Sequence, residues 1–178
     1  MKIKSHSKFT FFFKFLKLFK KKNKKLFNSL YKQKLNSIIL HLLENSIEIE
    51  NIYDVGAFQG EWTKQMNETC LKKSRFFMFE ANIENEIHLK NLDHKYFINV
   101  LSDKTKSVKF YSKSHSGDSY YLEKTKFYED TIKPKSLLTT TLNDIQKTQN
   151  IPLPDFLKID TQGSEIDILI GANKILKN

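Results

Sequence analysis

The sequence predicts an α/β protein built on a largely parallel sheet. From residue 51 onward, short apolar runs of strand length (52–55, 76–79, 96–101, 108–111 and 156–159) alternate with helical or turn segments. The first run ends in Asp54 and turns through Gly56 and Gly60 into a helix starting near Glu61, the strand–turn–helix junction where open α/β sheets bind ligands. A long stretch of helical periodicity precedes the first strand.

The elements divide the chain into a tail (1–25), a helix packing on the core (26–48) and the α/β domain itself (49–178). In the tail, Phe9, Phe12, Phe13, Leu16 and Phe19 fall at helical spacing, with Lys14, Lys17 and Lys20 mostly on the other side. The stretch is too short to span a bilayer, which takes about 20 apolar residues, and it lacks a signal-peptide cleavage site. Two readings stand: a helix or solvated extension of the domain, or an interfacial helix contacting an anionic membrane peripherally. Leu26, Phe27, Leu30, Tyr31, Leu35, Ile38, Ile39, Leu42 and Leu43 then give a long amphipathic helix, expected to cover one sheet edge. Within the domain, residues 61–71 and 83–92 fit the intervening helices. Residues 112–134 are polar, aromatic and aperiodic, an excursion containing loops.

Charge is segregated. The net charge of +10 arises in residues 1–35, which hold 12 lysines and no Asp or Glu, leaving 18 basic against 20 acidic groups in the other 143 residues. The α/β body therefore offers no excess positive charge for phosphates. Arg75 is the only arginine beside 29 lysines, so the bidentate contacts that read bases are nearly absent, and no specific nucleic-acid partner is expected. Cys70 is the only cysteine and the five histidines show no metal-ligand spacing, so neither a disulfide framework nor a metal site is expected, and a cytoplasmic setting fits best. The bias to Lys, Asn, Ile and Phe suits an AT-rich bacterial genome.

Three strand ends carry the candidate chemistry. Gly56 and Gly60 allow close backbone approach, but GxxxG is not the GxGxxG of pyrophosphate binding, and alone it fits a packing turn equally well. Glu80 closes the strand RFFMFE 20 residues beyond Gly60, where a carboxylate can accept hydrogen bonds from ribose hydroxyls; the plainer reading is a solvated strand-end carboxylate. Ser102 and Asp103 follow the third strand and could contact an adenine amine. The segment FLKIDTQGSEIDILIGA then delivers Asp160 to the same rim, turns at residues 161–163, and continues as a helix whose buried face is expected to be Ile166, Leu169 and Ile170.

Taken together, DVGAFQGEWT, FEAN, VLSD and above all LKIDTQGSEIDILIGA resemble the FkbM family of methyltransferases, over residues 52–176. The resemblance implies a Rossmann-like class I methyltransferase sheet that binds S-adenosylmethionine and methylates a hydroxyl of a sugar, glycan or secondary metabolite. It places Asp54, Gly56 and Gly60 at the methionine portion of the cofactor, Glu80 at the ribose, and Ser102 with Asp103 at the adenine, with Gln59 a further cofactor-binding residue. Asn82 departs from the proline frequent after the family's Glu, and Gln162 from a common Glu. Asp160, with Glu165 second, is the candidate acid/base or acceptor-orienting group; a helix-capping role for Asp160 is the alternative.

The chain ends directly after the helix that follows the LKID strand. A full class I sheet would add about three strands on that side, so a partial domain lacking its C-terminal strands is expected, or else a short member completed by homodimerisation. A nicotinamide-dependent oxidoreductase is the rival within the fold class. A membrane-surface or scaffolding protein with a vestigial, inactive core is the non-enzymatic one.

Overall fold

The computed structural model describes residues 37, 39–41, 43–44, 48–112, 118–121 and 134–177. The chain divides into two units, Met1–Ile47 and Glu48–Asn178. In the first, the described positions are helical. The tail of residues 1–25 and most of the helix expected over 26–48 lie outside the described residues.

The second unit is a mixed α/β domain. Its main sheet has the order β3-β2-β1-β7 with all strands parallel, from β1 (Asn51–Val55), β2 (Arg75–Glu80), β3 (Lys95–Ile98) and β7 (Phe156–Ile159). Every residue of β1 is buried, as is all of β2 beyond Arg75, as expected where a parallel sheet is covered on both faces; β2 reads as an apolar run up to Glu80, and β1 is interrupted by the buried Asp54. Alternation then assigns the two faces. Tyr53, Val55, Phe77 and Phe79 join Phe97, Leu142, Ile145 and Ile168 in one core. Met78 turns to the other side, with Ala57 and Leu89.

Three elements depart from expectation. The apolar run 96–101 is not one strand. It leaves β2 at Asn99, whose N–H bonds the Glu80 carbonyl at 2.8 Å, and Val100–Leu101 (β4) pairs in parallel with β6 (Lys135–Thr140). That strand was not among the expected ones; β5 (Ser107–Phe110) pairs antiparallel with it, giving a second sheet of order β4-β6-β5. The helical segment expected over 83–92 is a 3₁₀ turn (Ile83–Asn85) followed by one short helix.

The helices are α1 (Glu61–Thr69), α2 (Glu86–Leu89), α3 (Leu142–Thr148) and α4 (Glu165–Gly171). Thr141 caps α3, its hydroxyl accepting from the Asp144 N–H at 3.0 Å. The expected buried face of α4 is corrected. Ile168 is 2% exposed and Gly171 is buried, whereas Ile166, Leu169 and Ile170 are exposed. The reason is close packing at Gly171, where a Cβ would collide with the Ser102 carbonyl, so that the Ile168–Gly171 side faces β4.

Candidate functional site

The carboxyl ends of β1, β2, β4 and β7 surround a cleft of about 240 Å³, lined among others by Gly56, Phe58, Glu80, Asn99, Leu101, Asp160 and Ile168. Its position follows from the topology, since a parallel sheet opens beyond its strand ends, where adjacent chain segments diverge.

Of the glycines in the first turn, only Gly56 reaches the cleft. It has φ +74°, and a Cβ there would overlap the Asp160 carbonyl oxygen, so β1 and β7 can end side by side only with glycine at this position. Gly60, φ +77°, N-caps α1 and packs against the side chains of Leu92, Leu89 and Met78. Its role here is packing against the α2 region. Phe58 also has a positive φ, 53°, and its N–H donates to Glu80 Oε2 at 2.8 Å. Gln59 lies in the same turn and does not line the cleft.

Asp54 is fully buried. Its Oδ2 accepts from the Thr63 hydroxyl at 2.7 Å, and its Oδ1 pairs with Lys158 Nζ at 2.7 Å. Lys158 also donates to the Gly56 carbonyl at 3.3 Å and lies 5.4 Å from the Trp62 ring centre. Asp54 therefore ties β1 to α1 and β7 and fixes the turn from behind, without lining the cleft.

Glu80 does line it. Its Oε1 accepts from the Asn82 N–H at 2.9 Å and from Asn85 Nδ2 at 3.2 Å, while Oε2, among the described residues, accepts only from Phe58. A carboxylate oxygen has two lone pairs, so among the described residues one lone pair of Oε2 is left unshared. Burial pushes the Glu80 carboxyl above its ordinary value, opposed by the bonds from Asn82, Phe58 and Asn85, with the negative charge of Asp118 adding to the rise.

Ser102 and Asp103 do not line the cleft. They belong to a polar cluster beside it: Ser102 Oγ donates to Asp103 at 2.9 Å and lies 3.2 Å from the Tyr120 hydroxyl, and Lys106 pairs with Asp103 at 2.6 Å. The Lys106 ammonium and the Ser102 hydroxyl hold the Asp103 carboxyl below its ordinary value. At the centre, Asp167 Oδ2 accepts from the hydroxyls of Tyr120 and Tyr121, each at 2.9 Å. Burial pushes Asp167 up, but these hydroxyls and Lys106 together hold it down.

Asp160 reaches the rim as expected from its strand end, with a side chain 73% exposed and Lys158 Nζ 3.9 Å away. Glu165 turns back on its own loop, accepting from Gly163 N–H at 3.1 Å and the Thr161 hydroxyl at 3.3 Å.

Residues 118–121 form a wall not foreseen from the sequence. Asp118, Ser119 and Tyr120 line the cleft. Ser119 bridges to Tyr111 and donates from Oγ to the Gln162 carbonyl at 2.6 Å, and Asn82 Nδ2 donates to Asp118 at 2.7 Å. The one hint was the Gly-Asp pair, a turn signal, inside an otherwise aperiodic excursion. Among the described residues no group of His, Cys, Asp and Glu could hold a metal ion, and no helix is long and apolar enough to cross a membrane.

Fold and cleft together define an open Rossmann-like α/β domain with a cleft at its strand ends. The model of the methyltransferase FkbM domain matches residues 54–178, and the chain belongs to that family. Among solved structures, it is similar to the methyltransferase FkbM from Methylobacillus flagellatus KT at 19% identity and a TM-score of 0.47, over 72% of this chain and 30% of that one. The chain thus spans about a third of the length of that relative. No curated protein matches it.

Proposed function

We propose that this chain binds S-adenosylmethionine in the cleft and serves transfer of its methyl group to a hydroxyl of a sugar, glycan or secondary metabolite. The observation that carries the reading is the charge of the cleft. Its described lining includes the carboxylates Glu80, Asp118 and Asp160 and contains no Lys, Arg or His. Such a lining favours a cationic ligand and opposes a dinucleotide, whose pyrophosphate would need N–H donors or cations. Bound there, S-adenosylmethionine supplies an electrophilic methyl group on a positively charged sulfur.

The chain's own groups divide the work. Glu80 Oε2 accepts a ribose hydroxyl on its remaining lone pair. Gly56 lets the ends of β1 and β7 lie side by side at the floor of the cleft, and the Asp54–Lys158 pair holds that turn in place. Asp160, on the open rim, orients the acceptor hydroxyl and takes up its proton.

Calorimetry on the full chain tests the binding step. S-adenosylmethionine and S-adenosylhomocysteine are expected to bind, and NAD is not. Heat from NAD alone, or from none of the three, would overturn the reading.

A further inference from the structure

We propose that Asp167 is a positioning residue of the cleft: by accepting from the hydroxyls of Tyr120 and Tyr121 it holds segment 118–121 across the strand ends as a wall for the bound ligand. The inference rests on the cleft being the methyl-donor site and adds a residue that does not itself line it.

In the main sheet β2 and β7 flank β1. Asn82, just past the end of β2, donates to the Asp118 carboxylate at 2.7 Å, and the Gln162 carbonyl, in the turn after β7, accepts from the Ser119 hydroxyl at 2.6 Å. Adjacent residues thus attach to the two flanks of β1, so the segment bridges the cleft from one side to the other, with Asp118, Ser119 and Tyr120 lining it. Its backbone pairs with Tyr111 through N–H···O bonds of 2.8 and 3.2 Å, among the described residues an isolated bridge and not a strand ladder. Side chains therefore carry much of its attachment.

Asp167 is the point where these attachments meet the core. Its Oδ2 accepts from the Tyr120 and Tyr121 hydroxyls, each at 2.9 Å, and lies 3.5 Å from both the Ser102 hydroxyl and Lys106 Nζ. Hydrogen bonds to an ionised acceptor are stronger than those between neutral groups, and Lys106 offsets the charge that makes them so. The helix that carries Asp167 is itself fixed, because Ile168 is 2% exposed and Gly171 packs against the Ser102 carbonyl. Tyr121, by contrast, is 47% exposed, so burial does not account for the place of its hydroxyl; the bond to Asp167 does. Without that oxygen both hydroxyls turn to water, and a ligand that uses the wall must order it on binding, which costs affinity.

The test measures S-adenosylmethionine and S-adenosylhomocysteine binding to the full chain by calorimetry, at a temperature where thermal melts show each variant folded. Asp167→Ala is expected to weaken both ligands by about tenfold, and Asp167→Asn, which keeps an acceptor oxygen for the hydroxyls, by clearly less. The double variant Tyr120→Phe/Tyr121→Phe, which removes only the two hydroxyls, should match Asp167→Ala, and adding Asp167→Ala to it should weaken binding by less than about a further twofold. Additive losses, or a loss in Asp167→Asn as large as in Asp167→Ala, would mean that Asp167 does not act through the tyrosine hydroxyls and would overturn the inference. Hydrogen exchange without ligand gives a second readout: in Asp167→Ala the paired amides of Tyr111 and Ser119 should exchange about tenfold faster while those of β1 keep their native rates. Unchanged exchange at Tyr111 and Ser119 would also overturn the inference. If neither ligand binds the native chain, the methyl-donor reading fails, and the exchange rates alone decide whether Asp167 holds the wall.

Discussion

Replacing Lys158 by methionine would leave the Asp54 carboxylate fully buried with, among the described residues, only the Thr63 hydroxyl to answer it. Removing one partner of such a pair costs more than the pair contributes, about 3 kcal/mol, because the remaining charge stays desolvated. Urea unfolding of Lys158→Met should show that loss, and adding Asp54→Asn should recover part of it; additive costs would mean the two side chains are not coupled. Glu80 makes the second prediction at this scale. Its carboxyl lies above the ordinary value in the folded chain, so between the unfolded and folded values the folded state binds more protons. Stability from this group is complete below the unfolded value of about 4.3 and is lost as pH rises through the raised folded value. The stability of the native chain relative to Glu80→Gln should therefore decline over that window, as followed by urea unfolding at stepped pH. A difference that stays flat or grows with pH would show that the bonds from Phe58, Asn82 and Asn85 outweigh burial.

Among the elements, the glycine turn separates two roles that GxxxG spacing cannot distinguish. At Gly56 a Cβ meets backbone, the Asp160 carbonyl, at φ +74°; at Gly60 it meets the flexible end of Leu92 at φ +77°. Gly56→Ala should cost about 3 kcal/mol or more and abolish ligand binding, whereas Gly60→Ala should cost about 1–2 kcal/mol and largely spare it. Equal effects in thermal melts and calorimetry would refute that division. The same contrast explains what the sequence revealed. β1, β2 and β7 were readable because short, mostly apolar runs alternate with helical or turn segments, and their carboxyl ends put Gly56, Glu80 and Asp160 at the cleft. β6 was not, because KSLLTT alternates poorly and leaves Leu138 exposed, its place being set by pairing with β4 and β5. Helical period gave an apolar face for α4 at Ile166, Leu169 and Ile170, but close approach at Gly171 selected Ile168 instead. Asp118 and Tyr120 reach the cleft through contacts to residues as far as 47 positions away along the chain, which local pattern does not encode.

Over the whole molecule, charge is sorted by position along the chain: all of the positive excess sits in residues 1–35, while the remainder carries a small negative excess. A uniformly basic protein would associate with anionic surfaces through any face. Here such association should depend on one segment, and on its two chemistries together. Lysines near an anionic membrane surface contribute about 1 kcal/mol each, screened by salt, and phenylalanines entering the headgroup region contribute a salt-independent part. In cosedimentation, the full chain should bind anionic vesicles and not neutral ones. Replacing Lys20, Lys21, Lys22, Lys24 and Lys25 by glutamine should remove most of that binding at physiological salt. Replacing Phe12 and Phe13 by serine should weaken it while leaving its salt dependence in place. Neither change should alter binding of S-adenosylmethionine, because the cleft residues belong to the second unit. If a chain lacking residues 1–25 still binds anionic vesicles as well as the native chain does, a membrane role for the tail is excluded and the attraction must come from residues 26–178.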